Sequence, residues 1–332
     1  MSNINVIIVN YRTAPFVLKG LASIACERGL TSHSIRVYVV DNNSGDDSVD
    51  LIAAAVDREH WGDWIDIIPN PTNRGFAAGN NTAISQASRR TPLPDYFYFL
   101  NPDAVIKPGA IRILADFLDQ RTQVAIVGSS LEEPDGTASC SSFRFPSFVS
   151  EFLKGASLGF LDNALQAWVV PQPMKEYPHR TDWVSGASFM VRREVFSQLG
   201  MMDEGYFLYF EEVDFMKSAA KADLQVWSNP YARVIHEAGA STKIKNSHSQ
   251  DGPLPSYWYD SWRRYFVKHH GRLGALLAGT SWLLGKLLYT SKMLLQSGKD
   301  QSGGRTTSDF LVRGMAPILR KRAQREVRAN TG

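Results

Sequence analysis

Over the first 130 residues, five short apolar runs alternate with four stretches of 3.6-residue hydrophobic periodicity, and this alternation restricts the possible folds more than any other feature. The apolar runs are residues 4–10, 35–40, 64–69, 96–100 and 124–128, and they read as strands. The periodic stretches are 15–27, 46–57, 77–88 and 109–119, with Asp46 and Pro108 suited to start helices. Strand and helix in alternation predict an α/β fold: a mostly parallel sheet flanked by helices on both faces, Rossmann-like in plan. With 332 residues the chain can build one large domain or a domain with an appendage.

Open parallel sheets bind ligands at the carboxyl ends of their strands. That rule selects Asn10-Tyr11-Arg12, the turn from Asp41 through Asn43 to Asp46, residues 70–80, and Asn101-Pro102-Asp103. All four are polar. Downstream, residues 130–180 read as an irregular loop or insertion. Regular structure resumes with residues 183–191, helices at 192–199 and 212–222, and strands near 224–228 and 232–236.

Each polar segment carries groups with a chemical use and a plainer structural reading. Asp41, just past a buried strand, can accept hydrogen bonds from a base N–H or a ribose hydroxyl, or simply cap its own turn. The run Asn73-Arg74-Gly75-Phe76-Ala77-Ala78-Gly79-Asn80-Asn81 allows close backbone approach and opens a helix, whose N-terminus favours an anion that Arg74 could assist. It is neither a Walker loop nor a Gly-x-Gly-x-x-Gly fingerprint, which removes support for an ATPase or a dehydrogenase. Asp103, in a Pro-led turn at a strand end, can ligate a hard cation or start the following helix. Glu211, Glu212 and Asp214 crowd three carboxylates into four residues, which suits a helix N-terminus or a general base with a raised pKa. Glu211 and Asp214, three apart, can share a helix face. His236 ends a strand and is either structural or a metal ligand.

Taken together and in order, these motifs resemble family 2 glycosyltransferases, and within them bacterial rhamnosyltransferases that use dTDP-L-rhamnose. The motifs are Val-Ile-Ile-Val-Asn-Tyr-Arg, Val-Asp41-Asn-Asn-Ser-Gly-Asp, Asn73-Arg-Gly-Phe-Ala-Ala-Gly-Asn-Asn, Leu-Asn101-Pro-Asp103, Trp183-Val-Ser-Gly-Ala187, Phe-Leu-Tyr-Phe-Glu211-Glu212-Val-Asp214 and Val-Ile-His236. The likeness covers about residues 4–243. It implies a GT-A fold and a single displacement that inverts the anomeric carbon. It also implies that Asn10, Arg12, Asp41, Asn43, Arg74, Gly75, Phe76, Asn80, Asn101 and Asp103 hold the nucleotide sugar. Asp103 with His236 is expected to hold a divalent metal, Mg²⁺ or Mn²⁺, on the diphosphate. Trp183, Ser185, Gly186, Ala187 and Asp214 are expected around the acceptor and donor sugar, and Glu212 is the expected base. The chain departs from the family at two points. Asn101-Pro102-Asp103 replaces the usual Asp-x-Asp, leaving one carboxylate, and Glu212 stands where many members have Asp, which keeps Glu211 as a rival base. A nucleotidyltransferase would need a Gly-rich triphosphate loop that Asn10-Tyr11-Arg12-Thr13 does not supply; an inactive scaffold that keeps nucleotide binding is the non-catalytic alternative.

The domain expectation is a transferase domain over 1–245, its nucleotide-sugar half at 1–130 and its acceptor half at 131–245, followed by a basic helical extension over 246–332. The net charge of +3 conceals 14 basic and 3 acidic residues from Ser261 onward, against 22 basic and 30 acidic before it. A basic tail suggests an anionic partner. Leu273, Leu276, Leu277, Leu284, Leu287, Leu288, Leu294 and Leu295 on one helical stripe favour a phospholipid surface over nucleic acid. Only 13 uncharged residues separate Arg272 from Lys286, too few to span a bilayer. The first ten residues read as a strand and not as a secretion signal, and Cys26 and Cys140 offer no disulfide framework. These features point to the cytoplasm, with a peripheral site on the inner face of the plasma membrane and a glycan or lipid-linked acceptor.

Overall fold

The computed structural model describes residues 1–237, 239, 254–295 and 307–319. The chain opens with β1 (Asn3–Asn10), α1 (Ala14–Arg28), β2 (Ser34–Asp41), α2 (Ser48–Arg58), β3 (Ile65–Pro69), α3 (Phe76–Ala87) and β4 (Tyr96–Leu100). Next come β5 (Ala104–Ile106), α4 (Ala110–Gln120), β6 (Val124–Glu132), β7 (Ala138–Ser139), β8 (Ser142–Phe143), α5 (Phe148–Ala156) and α6 (Gly159–Ala164). The remainder is β9 (His179–Thr181), β10 (Trp183–Val184), β11 (Ser188–Arg192), α7 (Arg193–Leu199), α8 (Glu211–Lys221), β12 (Gln225–His236) and α9 (Ser256–Leu295). Two compact units result, Met1–Pro146 with Ala167–Gln250, and Ser147–Gln166 with Asp251–Gly332.

The first unit is built on a sheet of order β3-β2-β1-β4-β11-β6-β12-β5. Strands β3, β2, β1 and β4 run parallel, as does β6 with β12, while β11 and β5 are antiparallel to their neighbours. Because side chains alternate along a strand, β1 sends Ile4, Val6 and Ile8 to α1 and α4 and turns Ile7 and Val9 toward α3. Each such side chain, fully removed from water, contributes about 2 kcal/mol. Glu27, buried at the end of α1, accepts the N–H groups of Gly109 (2.6 Å) and Arg112 (2.9 Å), so its carboxylate caps α4. The strand order reverses direction between β1 and β4, which opens the crevice where such sheets bind ligands.

Three expectations from the sequence need correction. Residues 130–180 hold β7, β8, β9, α5 and α6, and residues 147–166 belong to the second unit. The regular segment expected over 183–191 is broken into β10, which pairs with β8, and β11, which enters the main sheet. The two strands expected near 224–228 and 232–236 are one, β12, whose register slips between Asn229 and Arg233 around Pro230, a residue that cannot donate to a ladder.

In the second unit α5 packs on α9, which bends at Gly271 (φ 70°). Gly155 and Gly285 allow the approach, since a Cβ at either would lie 2.2 Å from a carbonyl oxygen of the facing helix. Beside them Trp282 and Trp262 pack on Phe310, which opens a π-helical turn over Phe310–Met315, and Phe266 packs on Trp262. Trp262 donates its indole N–H to the buried Glu151 (3.0 Å), whose pKa burial raises. Among the described residues no helix is long and apolar enough to cross a membrane. Arg320, Lys321, Arg322, Arg325 and Arg328 lie outside the described residues, as does the 245/246 boundary.

Candidate active site

The carboxyl ends of β1 and β2 are joined by register and by side chains. Asn10 and Asp41 face one another in the ladder, and Asn10 Nδ2 donates to Asp41 Oδ1 at 2.7 Å. Ser44 completes the knot: its hydroxyl donates to Asp41 Oδ1 (2.5 Å) and its N–H to Asp41 Oδ2 (3.0 Å). The hydroxyl of Ser44 also accepts the N–H of Arg12 (2.9 Å), while Arg12 Nε donates to Ser44 O (2.8 Å). Asn10 Oδ1 accepts both the N–H and the hydroxyl of Thr13. Arg12 (φ 59°) and Asn43 (φ 58°) are left-handed, and Asn43 is exposed at the apex of its turn. Asp41 therefore caps its own turn, as the structural reading of the sequence expects. Ser44 and Thr13, not singled out in the sequence, share the network; their hydroxyls within three residues of Asp41 and Asn10 were the available signal.

The loop into α3 is held from two sides. Asn42 Nδ2 donates to Gly75 O (2.9 Å), and the Phe76 N–H donates to Phe207 O (2.8 Å). Gly75 is left-handed (φ 93°). Arg74 is ion-paired with Glu204, and Asn81 Nδ2 donates to Met202 O (2.8 Å) and Glu204 Oε1 (3.1 Å). In this structure Arg74 thus spends its charge on Glu204. Asn80 donates to Phe76 O (3.0 Å), and its buried Oδ1 has no partner among the described residues. Glu204 had no signal in the sequence, and Asn81 and Phe207 stood only within motifs, because their contacts reach across more than 120 residues.

Strand β5 brings Asp103 and His236 together. Too short to be read in the sequence, it sets His236 opposite Ala104. His236 Nε2 then lies 3.3 Å from the buried Asp103 Oδ1 and 3.4 Å from Asn101 Nδ2. Two ligand atoms each about 2.1 Å from one octahedral ion stand about 3 Å apart when adjacent, so the pair fits a single divalent cation. The triad of His33, Asp116 and Asp119 also has ligand-like spacing. There, however, His33 Nδ1 accepts the Ser2 N–H, which leaves Nε2 as the N–H that meets Asp116. With no lone pair to offer, His33 is a structural histidine.

The acidic cluster sits at the start of α8. Tyr209 (φ 69°) and Phe210 (φ 70°) are both left-handed, a strained entry that sets Glu211 and Glu212 on the first turn. Glu211 is buried and Glu212 half-buried, and Oε2 of each has no hydrogen-bond partner among the described residues. Burial, then the charge of Glu212, holds the Glu211 pKa well above the usual carboxylate range. Burial pushes that of Glu212 up to about 7. The Glu212 Cδ lies 3.5 Å from where a Cβ on Gly186 would stand. Asp214 is buried and accepts the Tyr206 hydroxyl at 3.0 Å.

The turn between β10 and β11 connects Glu212 with the Asn101–Asp103 segment. Ala187 O accepts the Asn101 N–H (2.9 Å), Ser185 Oγ accepts the Ala187 N–H (3.3 Å), and Gly186 packs on Glu212. Trp183 stacks on Phe143 (4.2 Å between centroids) and donates its N–H to Arg144 O, so an aromatic face, not the indole N–H, is what it has to offer. The crevice therefore holds a polar knot, a cation-compatible pair and a carboxylate poised near neutrality.

Residues 5–200 match the model of Glycosyl transferase family 2. The N-acetylglucosaminyl-diphospho-decaprenol L-rhamnosyltransferase of Mycobacterium tuberculosis is 28% identical over 244 residues, spanning 71% of this chain and 76% of its own length. Among solved structures, the mannosyltransferase PcManGT from Pyrobaculum calidifontis, in complex with GDP-Man and Mn²⁺, superposes with a TM-score of 0.52 at 14% identity, covering 95% of this chain and 86% of its own. GalNAc-T7, solved with UDP, GalNAc and Mn²⁺, gives 0.51 at 14% identity; the match covers 94% of this chain and 56% of that protein. These likenesses establish a GT-A fold. With more than half of its length matched by the family model, the chain belongs to glycosyl transferase family 2 and is a glycosyltransferase.

Proposed function

We propose that this chain moves L-rhamnose from dTDP-L-rhamnose to a hydroxyl of a lipid-linked or cell-envelope glycan, inverting the anomeric carbon. The rhamnosyltransferase among its relatives supports the donor and the acceptor class. The observation that carries the mechanism is Glu212, a half-buried carboxylate with an unshared oxygen and a pKa pushed up to about 7, packed on Gly186. Ionised, it takes the proton of the acceptor hydroxyl as that oxygen forms its bond to the anomeric carbon. The bond from that carbon to the diphosphate breaks, and the electron pair leaves on the diphosphate oxygen. Attack from the face opposite the leaving group gives inversion in one step.

The remaining residues bind and orient. Asn10, Arg12, Asp41 and Asn43 meet the nucleoside, and the segment from Arg74 to Asn80 lies along the donor. Asp103 and His236 would hold Mg²⁺ or Mn²⁺ at the diphosphate end, with Asn101 beside them. The cation, when bound, neutralises charge that develops on the leaving group. Trp183, Ser185, Gly186 and Ala187 border the sugar and acceptor, and Asp214 steadies that wall through Tyr206. Glu211 is the deeper of the two, its pKa raised by burial and then by the charge of Glu212, which favours Glu212 as the base. The reaction is placed in the cytoplasm, with the second unit touching the anionic inner face of the plasma membrane.

Titration calorimetry with dTDP, UDP and GDP, each with and without Mn²⁺, tests the donor site. Metal-dependent binding of dTDP supports rhamnose. A preference for UDP redirects the assignment to another hexose, and no binding at all leaves a scaffold.

A further inference from the structure

The membrane contact proposed above has a definite surface in the second unit. The helix from Arg272 to Leu295 is inverted relative to a water-facing helix, with small residues inside and leucines outside. Its buried stripe is Ala275, Ala278, Gly279, Trp282, Gly285 and Lys286, packed inside the unit. Its outward stripe is Leu273, Leu277, Leu284, Leu287, Leu294 and Leu295, all exposed, with Leu273 at 83% and Leu295 at 86%. At about 100° per residue these leucines lie within an arc of about 120°. The other exposed residues near the centre of that arc are Thr280 and Ser291, so it carries no charge.

Cations border the arc on both sides. Arg272 falls about 100° from its centre in one direction and Lys292 about 100° in the other. From Ser261 to Leu295 there is no Asp or Glu. An uncharged apolar arc with basic edges and no acidic residue is the cross-section of a helix lying in the interface of an anionic leaflet. A second copy of the chain fits less well, since two such faces would bring basic borders together with no acidic counterpart on this helix. Exposed leucines on this scale are otherwise unfavourable in water.

We propose that the Leu273–Leu295 face inserts into the interfacial layer of an anionic phospholipid membrane, with Lys292 at headgroup level and Arg272, which donates to Ile318 O, bordering the other side. The inference rests on the membrane contact of the functional reading, but not on the donor or the chemistry. The test is flotation of the full-length protein with vesicles of phosphatidylcholine, alone or mixed with phosphatidylglycerol. Wild type is expected to float with the mixed vesicles and poorly with the neutral ones. Leu277→Gln with Leu284→Gln should lower partitioning about tenfold, and Lys292→Glu about fivefold. Both variants alter exposed side chains, and circular dichroism and nucleotide titration verify that each remains folded. Wild type that ignores mixed vesicles overturns the proposal, as does a double-leucine variant that floats unchanged. A dimer that dissociates on leucine substitution, in protein that does not float, assigns the face to a second copy instead. Nucleotide binding without flotation defeats this inference alone, whereas flotation without nucleotide binding defeats the transferase reading alone.

Discussion

Gly75 and Phe207 meet backbone to backbone: a Cβ on Gly75 would stand 2.2 Å from the Phe207 carbonyl oxygen, and the Phe76 N–H donates to that oxygen at 2.8 Å. The contact ties the loop that opens α3 to the loop that delivers Glu212. The Arg74–Glu204 ion pair and the hydrogen bonds of Asn81 to Met202 and Glu204 join the same two segments. The two loops are therefore one assembly, although they are distant in sequence.

Gly75→Ala should be among the most damaging small substitutions in the chain. The residue is left-handed (φ 93°) and the added methyl meets backbone, which cannot rotate away. A loss of about 3 kcal/mol is expected from strain and overpacking together. Gly45→Ala is the control: it too is left-handed (φ 66°), with nothing within 4 Å of its Cβ position, and should lose only about 1 kcal/mol. Denaturant unfolding of both variants separates strain from collision. Equal losses would mean that the Gly75–Phe207 contact yields.

For Glu212 the sign of the pH effect is fixed by its raised pKa. A base must be ionised, so turnover should rise as pH passes about 7 and fall away below it. Stability should move the other way. A carboxyl whose folded pKa lies above its unfolded value favours folding fully below the unfolded pKa, and that contribution fades as pH climbs toward about 7. Glu212→Gln is then expected to lose most turnover, to keep nucleotide binding, and to gain on the order of 2 kcal/mol of stability relative to wild type at pH 8. Unfolding curves at pH 5 and pH 8 check the second half without any substrate; a variant no more stable than wild type at pH 8 contradicts the burial assigned to this group.

What the sequence disclosed follows from how far each determinant reaches. Strands β1 to β4 and helices α1 to α4 were legible because each carries its own period, 2.0 or 3.6, within one window. The placement of Asp41 and Asp103 after strand ends and of Glu212 at a helix start was legible because the neighbouring periodic segments mark such positions. Elements that exist only through distant partners were not. Strand β5 is three residues long and depends on β12. Glu204 acquires its role from Arg74 and Asn81. Residues 147–166 look irregular until α9 covers α5. The leucine stripe was visible, but not which face of α9 it occupies, because small residues on the opposite face decide what is buried.

Glu27 offers a stability prediction apart from the chemistry. Its buried carboxylate satisfies two N–H groups at the start of α4, at 2.6 and 2.9 Å. Glu27→Ala leaves both without that acceptor and should lower unfolding free energy by about 2–3 kcal/mol, while nucleotide affinity in the folded protein stays unchanged. A loss below about 0.5 kcal/mol would show that water reaches these groups.

Removal of the cation-compatible pair gives the sharpest test of the diphosphate end. Asp103 contributes the one carboxylate of its turn, and β12 supplies His236 from the other edge of the crevice. If the pair holds the cation, Mn²⁺ should raise the affinity of wild type for dTDP, and chelation should remove the gain. Asp103→Asn or His236→Ala should lower the metal-dependent part at least about tenfold and leave the metal-free affinity nearly unchanged. The asymmetry is the informative result. Asp41 and Asn10 hold each other through β1 and β2 without help from Asp103, so the nucleoside end should survive the loss of the cation. Equal loss with and without Mn²⁺ would mean that Asp103 organises the crevice as a structural residue, and that the cation, if one is used, binds elsewhere.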